Sequence, residues 1–220
     1  MKNKQQNLSI FILLISSLFF SCAVTAGKFN TIINIGDSLP EFENLLGTDK
    51  KLYSSKDISE DFIVLVSLSN MCPFSNGIEN DLIKLADELK NQSVKFIAVN
   101  YNMNKGDNMI AMQQRDKQYN YNFIYLKDDE QNLGRQLGTT VTPEFFVFDK
   151  NRKLIYMGLL HNSPAMAQRD KSVYLKGEPT DFYVRDAIIA TTNNTIIEPS
   201  ETRAYGCSVE YLSALDPNQK

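Results

Sequence analysis

An apolar run followed by a helical pattern constrains this chain most strongly. Residues 62–68 read Phe-Ile-Val-Leu-Val-Ser-Leu, which has the length and composition of a buried strand. After a short polar loop, apolar side chains recur at spacings of four, three and four, at Ile78, Leu82, Leu85 and Leu89. This spacing predicts an amphipathic helix with one apolar face. A strand that leads directly into a helix indicates an α/β fold.

Cys72 lies in the loop between this strand and this helix, within residues 69–75, which read Ser-Asn-Met-Cys-Pro-Phe-Ser. At a helix N-terminus, unpaired N–H groups and the positive end of the helix dipole stabilise a thiolate. The thiolate is the nucleophile in both disulfide and peroxide chemistry. Pro73 suits a first helical turn, where no N–H is needed. Cys72 is therefore the candidate nucleophile; the alternative is a small buried apolar residue.

The same strand and helix signals continue along the chain. Thr142 and Pro143 precede the apolar residues 145–148, and a proline there is expected at the first residue of a strand or on an edge strand. The Thr142–Pro143 bond is one that can adopt the cis form. We predict strands at 94–100 and 123–126 and a hairpin of 145–149 with 154–157. Helices are predicted within 105–121, at 131–137 and at 181–192, the last with Thr180 as its N-cap.

Four segments together resemble the thioredoxin-like superfamily, in particular its redoxin branch, which includes the AhpC/TSA antioxidant proteins. The similarity lies in the opening residues 35–42, in residues 50–53, in the Thr-Pro-Glu-Phe-Phe-Val-Phe-Asp stretch at 142–149 and in the Gly-Cys-Ser ending within 201–209. The resemblance implies a thioredoxin-like fold over residues 34–211. Such a fold has a central mixed β-sheet flanked by helices, here with an N-terminal strand extension and a C-terminal tail.

The resemblance also implies a function and a set of site residues. It identifies the chain as a thiol–disulfide oxidoreductase that uses Cys72 as catalytic nucleophile, with Pro73, Thr142 and Pro143 binding the substrate. The expected partners are a protein or small-molecule disulfide, thiol or peroxide and an external thiol reductant. No cofactor and no metal are expected.

Departures from the family patterns keep other functions open. Ser75 stands where thioredoxins have their second cysteine, and Asn76 stands where copper-delivering relatives have theirs. Peroxiredoxins carry Thr and Pro where this chain has Ser69 and Leu65. The alternatives are a peroxiredoxin-like peroxidase, a redox-inactive binding module and a metallochaperone.

Cys207 is the other cysteine of the expected domain, and two interpretations of it remain open. It either resolves the intermediate formed at Cys72 or is a buried apolar residue. A disulfide requires Cα atoms about 4.4–6.8 Å apart, and the sequence does not place the two residues. His161, the single histidine, is interpreted as a surface loop residue, the alternative being a base or metal ligand beside Cys72.

Composition argues for one domain and against nucleic-acid binding. The chain has 220 residues, and 43% of them are hydrophobic, which is ample for one packed core. With 23 Lys and Arg against 26 Asp and Glu, the formal net charge is −3. A charge this small, spread along the chain, does not favour a nucleic-acid partner.

Residues 1–26 have the pattern of a targeting segment. Two lysines precede the apolar residues 10–20, which are too short to span a bilayer as a stable anchor. Ser-Cys-Ala at 21–23 resembles a bacterial lipobox, in which Cys22 is lipidated; cleavage after Ala26 is the alternative. Either route predicts an exported protein, periplasmic or anchored to the bacterial envelope by lipid, in an oxidising environment.

Overall fold

A seven-stranded mixed sheet forms the centre of the computed structural model, which describes residues 27–163, 165–167, 173–175 and 177–213. The expected targeting segment 1–26, with Cys22, lies outside the described residues. The strands are β1 Leu45–Gly47, β2 Leu52–Tyr53, β3 Phe62–Ser67, β4 Val94–Asn100, β5 Ile124–Lys127, β6 Val141–Thr142, β7 Glu144–Phe148, β8 Leu154–Gly158, β9 Ala165–Ala167, β10 Val173–Leu175 and β11 Cys207–Ser208. The α-helices are α1 Pro73–Glu88, α2 Met109–Tyr119, α3 Asn132–Leu137 and α4 Tyr183–Thr192.

The strand order of the main sheet is β2-β1-β5-β4-β3-β7-β8. The pairs β3–β4 and β4–β5 are parallel, and the other pairs are antiparallel. Two small ribbons, β9–β10 and β6–β11, stand outside this sheet. The order confirms the predicted α/β, thioredoxin-like fold, with β1 and β2 as the N-terminal strand extension.

Strand β3 lies at the middle of the core and contributes side chains to both faces of the sheet. Val64 and Val66 belong to one apolar cluster with Ile78 and Leu82 of α1. The alternate residues of β3 belong to a second cluster on the opposite face, which includes Leu133 of α3. Burial of one such side chain contributes about 1.5–3 kcal/mol, so this strand holds the layers together and gives the loop after it a rigid base.

Most predicted elements are present within a few residues of their expected bounds. The helix expected after Cys72 is α1, and Gly138, in the left-handed conformation with φ of 64°, ends α3 as expected. The prediction that Thr180 caps the last helix is wrong, because α4 begins after Phe182. There the Asp186 carboxylate accepts the Phe182 N–H at 3.2 Å. No helix in the described ranges is both long and apolar enough to cross a membrane.

After α4 the chain returns along the free edge of β8 and then crosses to β6. The N–H of Met157 donates to the carbonyl of Ser200 at 3.1 Å, and the N–H of Thr202 donates to the Met157 carbonyl at 3.0 Å. We call residues 205–212, which continue this path, the strap. The strap contains β11, which pairs with β6. This pairing places Cys207 opposite Thr142, at the edge of the sheet where the Cys72 loop also lies.

Candidate active site

The local fold places Cys72 at the N-cap of α1, directly after β3. Its side chain is almost completely buried, at 1% exposure. The Cys72 N–H donates to the Ser69 carbonyl at 3.2 Å, and the Ser75 N–H donates to the Cys72 Sγ at 3.5 Å. Pro73 occupies the first helical turn, as expected. The sulfur therefore lies at the end of the helix where free N–H groups accumulate.

Thr142, the last residue of β6, contacts Cys72, and Pro143 follows it directly. The Cys72 thiol donates to the Thr142 carbonyl oxygen at 2.9 Å. The Thr142–Pro143 peptide bond is cis. Residues seventy positions apart are thus in direct contact.

Cys207 reaches the same place from the strap. Strand β11 pairs with β6 so that Cys207 lies opposite Thr142 and Ser208 lies opposite Val141. The Cys72 thiol contacts the same Thr142, so the two cysteines are neighbours, and they interact electrostatically. Both thiols are free, and Cys207 is partly exposed while Cys72 is buried.

The two thiols differ in acidity. Burial acts to raise the pKa of Cys72, but the neighbouring Cys207 and Thr142 and the Ser75 N–H hold this pKa below its usual value. Burial raises the pKa of Cys207 to about 12, and the neighbouring Cys72 adds to the rise. If either sulfur of the pair is ionised near neutral pH, it is Cys72.

Asp107 supports the Cys72 loop from the segment after β4. Its carboxylate accepts hydrogen bonds from the Ser69 hydroxyl at 2.9 Å and the Asn70 N–H at 2.6 Å. It also accepts from the side-chain amides of Asn100 at 2.8 Å and Asn104 at 2.7 Å. Sequence analysis missed this residue. The signal was the polar stretch after β4, because the carboxyl ends of the adjacent parallel strands β3 and β4 meet at one edge of the sheet.

An apolar pocket lies beside Pro143. Its lining residues come from α1, β7, the segment after β8 and the strap; they are Phe74, Ile78, Pro143, Phe145, Leu159, Leu160, His161 and Tyr205. The expectation that His161 is a surface residue is wrong, since its side chain is 1% exposed. Its Nε2 lies 3.3 Å from the Asp81 carboxylate, and its Nδ1 accepts the Ser163 N–H at 3.3 Å. Both ring nitrogens are therefore engaged.

Glu144 is a second buried residue that sequence analysis did not select. It follows Pro143 and is 7% exposed, and its carboxylate accepts the Thr140 N–H at 3.3 Å. Burial raises the pKa of Glu144 to about 7. Within the described ranges, no group of three or more His, Cys, Asp or Glu side chains is arranged to hold a metal ion.

Comparisons with known proteins place the chain among redox proteins. The Redoxin family model matches residues 34–174. Among solved structures, an uncharacterized conserved protein from Geobacillus kaustophilus has a TM-score of 0.74 and 24% identity, over 84% of this chain and 96% of that chain. A hypothetical protein from Sinorhizobium meliloti has a TM-score of 0.72 and 24% identity, over 82% and 96% of the two chains.

A more distant structure carries a functional name. The peroxidoxin BcpB from Mycobacterium tuberculosis is similar with a TM-score of 0.51 and 16% identity, over 72% of this chain and 96% of that chain. At these identities the structural similarities establish the fold. The search of curated proteins found no match.

Proposed function

This chain belongs to the Redoxin family, and from that premise we propose that it is an exported thiol–disulfide oxidoreductase with Cys72 as nucleophile and Cys207 as resolving residue. The observation that carries the proposal is the contact of both cysteines with Thr142: the Cys72 thiol, at a helix N-terminus, donates to its carbonyl at 2.9 Å, and Cys207, on the strap, pairs with it between β11 and β6. A contact of this kind supplies both sulfurs of a disulfide within one domain.

The chemistry is a pair of thiol–disulfide exchanges. The Cys72 thiolate attacks one sulfur of a substrate disulfide, a mixed disulfide forms, and the other substrate sulfur leaves as a thiolate. Cys207 then attacks the Cys72 sulfur and expels the second substrate thiolate. The two protons of the cysteines end on the two released thiols. The enzyme pair is oxidised to a disulfide, the substrate is reduced, and an external thiol reductant returns the pair to its starting state.

The raised pKa of Cys207 fits this order of steps. Burial is the main cause, and the charge of the Cys72 thiolate adds to it. When Cys72 enters a mixed disulfide, that charge disappears and Cys207 loses its proton more easily. Cys207 is thus the weaker nucleophile at rest and becomes stronger when resolution is required.

The structure supports disulfide exchange better than peroxide reduction. Ser69, the residue in place of the peroxiredoxin threonine, directs its hydroxyl to Asp107 at 2.9 Å, and its oxygen accepts the Met71 N–H at 3.2 Å. That hydroxyl is consequently engaged in holding the loop. Pro73, Thr142 and Pro143 remain the proposed substrate-binding residues, with the apolar pocket beside Pro143.

Export and anchoring are part of the proposal and are supported by residues 1–26. The lysines, the apolar run and the Ser-Cys-Ala sequence favour lipidation of Cys22 and a membrane-anchored or periplasmic protein. The mass of the mature protein isolated from bacterial cells tests this. A diacylglycerol-modified N-terminal Cys22 is expected; a chain that begins at Gly27 supports export without the anchor, and an uncut chain contradicts export.

The proposed chemistry is tested on the purified domain by alkylation and peptide mapping. The alkylation rate of Cys72 against pH is expected to show a midpoint below that of a free cysteine. Non-reducing peptide maps after treatment with a disulfide are expected to show a Cys72–Cys207 link. The Cys72→Ser variant should lose all turnover and keep the fold. An unshifted midpoint together with two free thiols after oxidation would contradict the proposal, and faster oxidation by hydroperoxide than by disulfide would favour the peroxidase.

A further inference from the structure

The outer edge of β6 is occupied by the strap. Cys207 lies opposite Thr142 and Ser208 opposite Val141 in antiparallel register. The next residue, Val209, continues the pairing, since its N–H donates to the Thr140 carbonyl at 2.9 Å. The chain's own tail therefore pairs with the main chain just before Pro143.

The contact at the start of this pairing is unusually close. A Cβ atom built on Gly206 would lie 1.9 Å from the Thr142 carbonyl oxygen and 2.5 Å from the Thr142 carbonyl carbon. A side chain at this position would displace backbone. The main chain of the strap thus packs directly against the main chain of β6.

Several hydrogen bonds hold the rest of the strap to the domain. The buried Gln131 side chain donates to the Glu210 carbonyl at 2.9 Å and accepts the Leu212 N–H at 2.8 Å. The Tyr211 hydroxyl donates to the Thr139 carbonyl at 2.8 Å. Release of the strap requires all of these bonds to break, with a net cost of roughly 0.5–1.5 kcal/mol for each.

Small disulfides and extended polypeptides need access to different parts of this site. An extended polypeptide that adds to a strand edge needs free main-chain groups on that edge. In the proposed arrangement a small disulfide needs only the sulfur of Cys72, which a rotation of the partly exposed Cys207 side chain would uncover while the strap stays docked. Rotamer changes of this kind are fast local events, whereas strap release is a cooperative opening.

We propose that the strap is an internal substitute for a polypeptide on the edge of β6, so that Cys72 exchanges with low-molecular-weight disulfides and not with disulfides in extended polypeptides. This inference rests on the proposed function and names its substrate class. One disulfide RSSR and the two cysteine thiols give two RSH and the Cys72–Cys207 disulfide. A low-molecular-weight dithiol reductant then reverses the change.

The test compares two disulfides that both contain a 2-mercaptoethanol group, so that attack on the peptide sulfur of the second releases the same thiol as the first. One is bis(2-hydroxyethyl) disulfide, and the other is a short extended peptide whose cysteine is disulfide-bonded to 2-mercaptoethanol. Reduced protein is mixed with either, quenched with N-ethylmaleimide and analysed by mass for the Cys72–Cys207 disulfide. The small disulfide is expected to react at least about tenfold faster, because tenfold corresponds to about 1.4 kcal/mol, the net contribution of only one or two of the hydrogen bonds that strap release must break.

Variants of Tyr211 separate the effect of the strap's hydrogen bonds from the effect of the size of its side chains. Tyr211→Ala, which removes the bond to Thr139, is expected to raise the peptide rate by about tenfold and to leave the small-disulfide rate within about twofold. Tyr211→Phe removes the hydroxyl alone and is expected to change the peptide rate in the same direction by less. Tyr53→Ala, which removes one hydroxyl hydrogen bond, to Asp49 at 2.7 Å, on the edge strand β2, is the matched control and should leave both rates unchanged.

The outcomes separate the inference from the proposed function. Equal rates for the two substrates in the native chain, or equal effects of Tyr211→Ala on both, would overturn the inference alone. Failure of both substrates to oxidise the cysteine pair in every variant would overturn the proposed function and the inference with it. Selectivity in the native chain that is relaxed in Tyr211→Ala and unchanged in Tyr53→Ala supports the inference.

Discussion

At the scale of single residues, Glu144 next to the strap and Gly206 within it are expected to affect stability and disulfide formation. Glu144 lies beneath the strap, close enough to Tyr101 and Tyr211 to interact with both electrostatically. Gly206 provides the closest backbone contact between the strap and β6. Neither residue was selected from the sequence as part of the site, yet each affects the region that holds Cys207.

Replacing Glu144 by Gln is expected to change how stability depends on pH. Because burial raises the pKa of Glu144 to about 7, the folded protein binds this proton more tightly than the unfolded chain does. Its stabilising contribution is complete below the pKa of an unfolded glutamate and is lost as pH rises through about 7, by on the order of 3 kcal/mol.

Chemical unfolding of the native chain and of Glu144→Gln at pH 5 and at pH 8 measures this contribution. The native chain is expected to lose more stability than the variant between the two pH values. Equal losses in the two proteins would show that Glu144 is ionised in the folded state at both pH values.

Replacing Gly206 by Ala is expected to slow formation of the Cys72–Cys207 disulfide. The added Cβ would lie 1.9 Å from the Thr142 carbonyl oxygen, so the strap must shift away from β6. The oxidation rate, followed by mass after alkylation, measures the effect. Gly177→Ala is the control, since a Cβ there meets nothing within 4 Å. An unchanged oxidation rate in Gly206→Ala would mean that the strap accommodates the added Cβ atom without moving Cys207.

At the scale of elements, α1 must be fixed for Cys72 to keep its position, and an ion pair with α2 does this. The Arg115 Nε donates to Glu79 Oε1 at 2.9 Å, and its Nη2 donates to Oε2 at 2.7 Å. The Tyr121 hydroxyl donates to the same carboxylate. The Glu79 side chain is only 6% exposed, so its charge depends on these donors.

Arg115→Ala is therefore expected to lower the free energy of unfolding by about 3–5 kcal/mol, because it leaves a buried carboxylate without its cation. Denaturant unfolding measures the loss. Adding Glu79→Gln to this variant should restore part of the stability by removing the charge. Lys90→Ala breaks an exposed pair with Asp87 and should cost no more than about 1 kcal/mol. Similar losses in Arg115→Ala and Lys90→Ala would contradict this role.

At the scale of the whole molecule, a Cys72–Cys207 disulfide would join the middle of the chain to its tail. It would close a loop of more than a hundred residues. The oxidised protein is expected to be more stable than the reduced one by up to about 4.7 kcal/mol, the value of a 100-residue loop in the chain-entropy description.

Denaturant unfolding with and without reductant measures this difference. Under oxidising conditions Cys207→Ala should unfold like the reduced native chain. A stability that is unchanged by oxidation, in protein shown by mass to carry the bond, would mean that native-state strain offsets the entropic gain.

Helices and strands with a strong local sequence pattern could be predicted. Those that depend on pairing with a separate segment of the chain could not. Strand β4 has the predicted bounds, and α1 begins directly after Cys72 as predicted. The start of α4 was misplaced because the helix begins at Tyr183, where the N–H of the preceding Phe182 donates to Asp186, so Thr180 lies before its N-cap position. The hairpin β9–β10 was not predicted, since its strands have three residues each and pairing depends on the partner strand.

The sequence by itself determined the strand, loop and helix around Cys72, because hydrophobic period and capping act over a few neighbouring residues. It also indicated Pro143 and the family, through local motifs. Only the tertiary structure decided that His161 is buried, that Asp107 holds the Cys72 loop and that Cys207, on the strap, lies beside Cys72 at Thr142. These contacts join residues tens to more than a hundred positions apart, and the pairing of β11 with β6 that creates the last of them leaves no periodic signal in a strand of two residues.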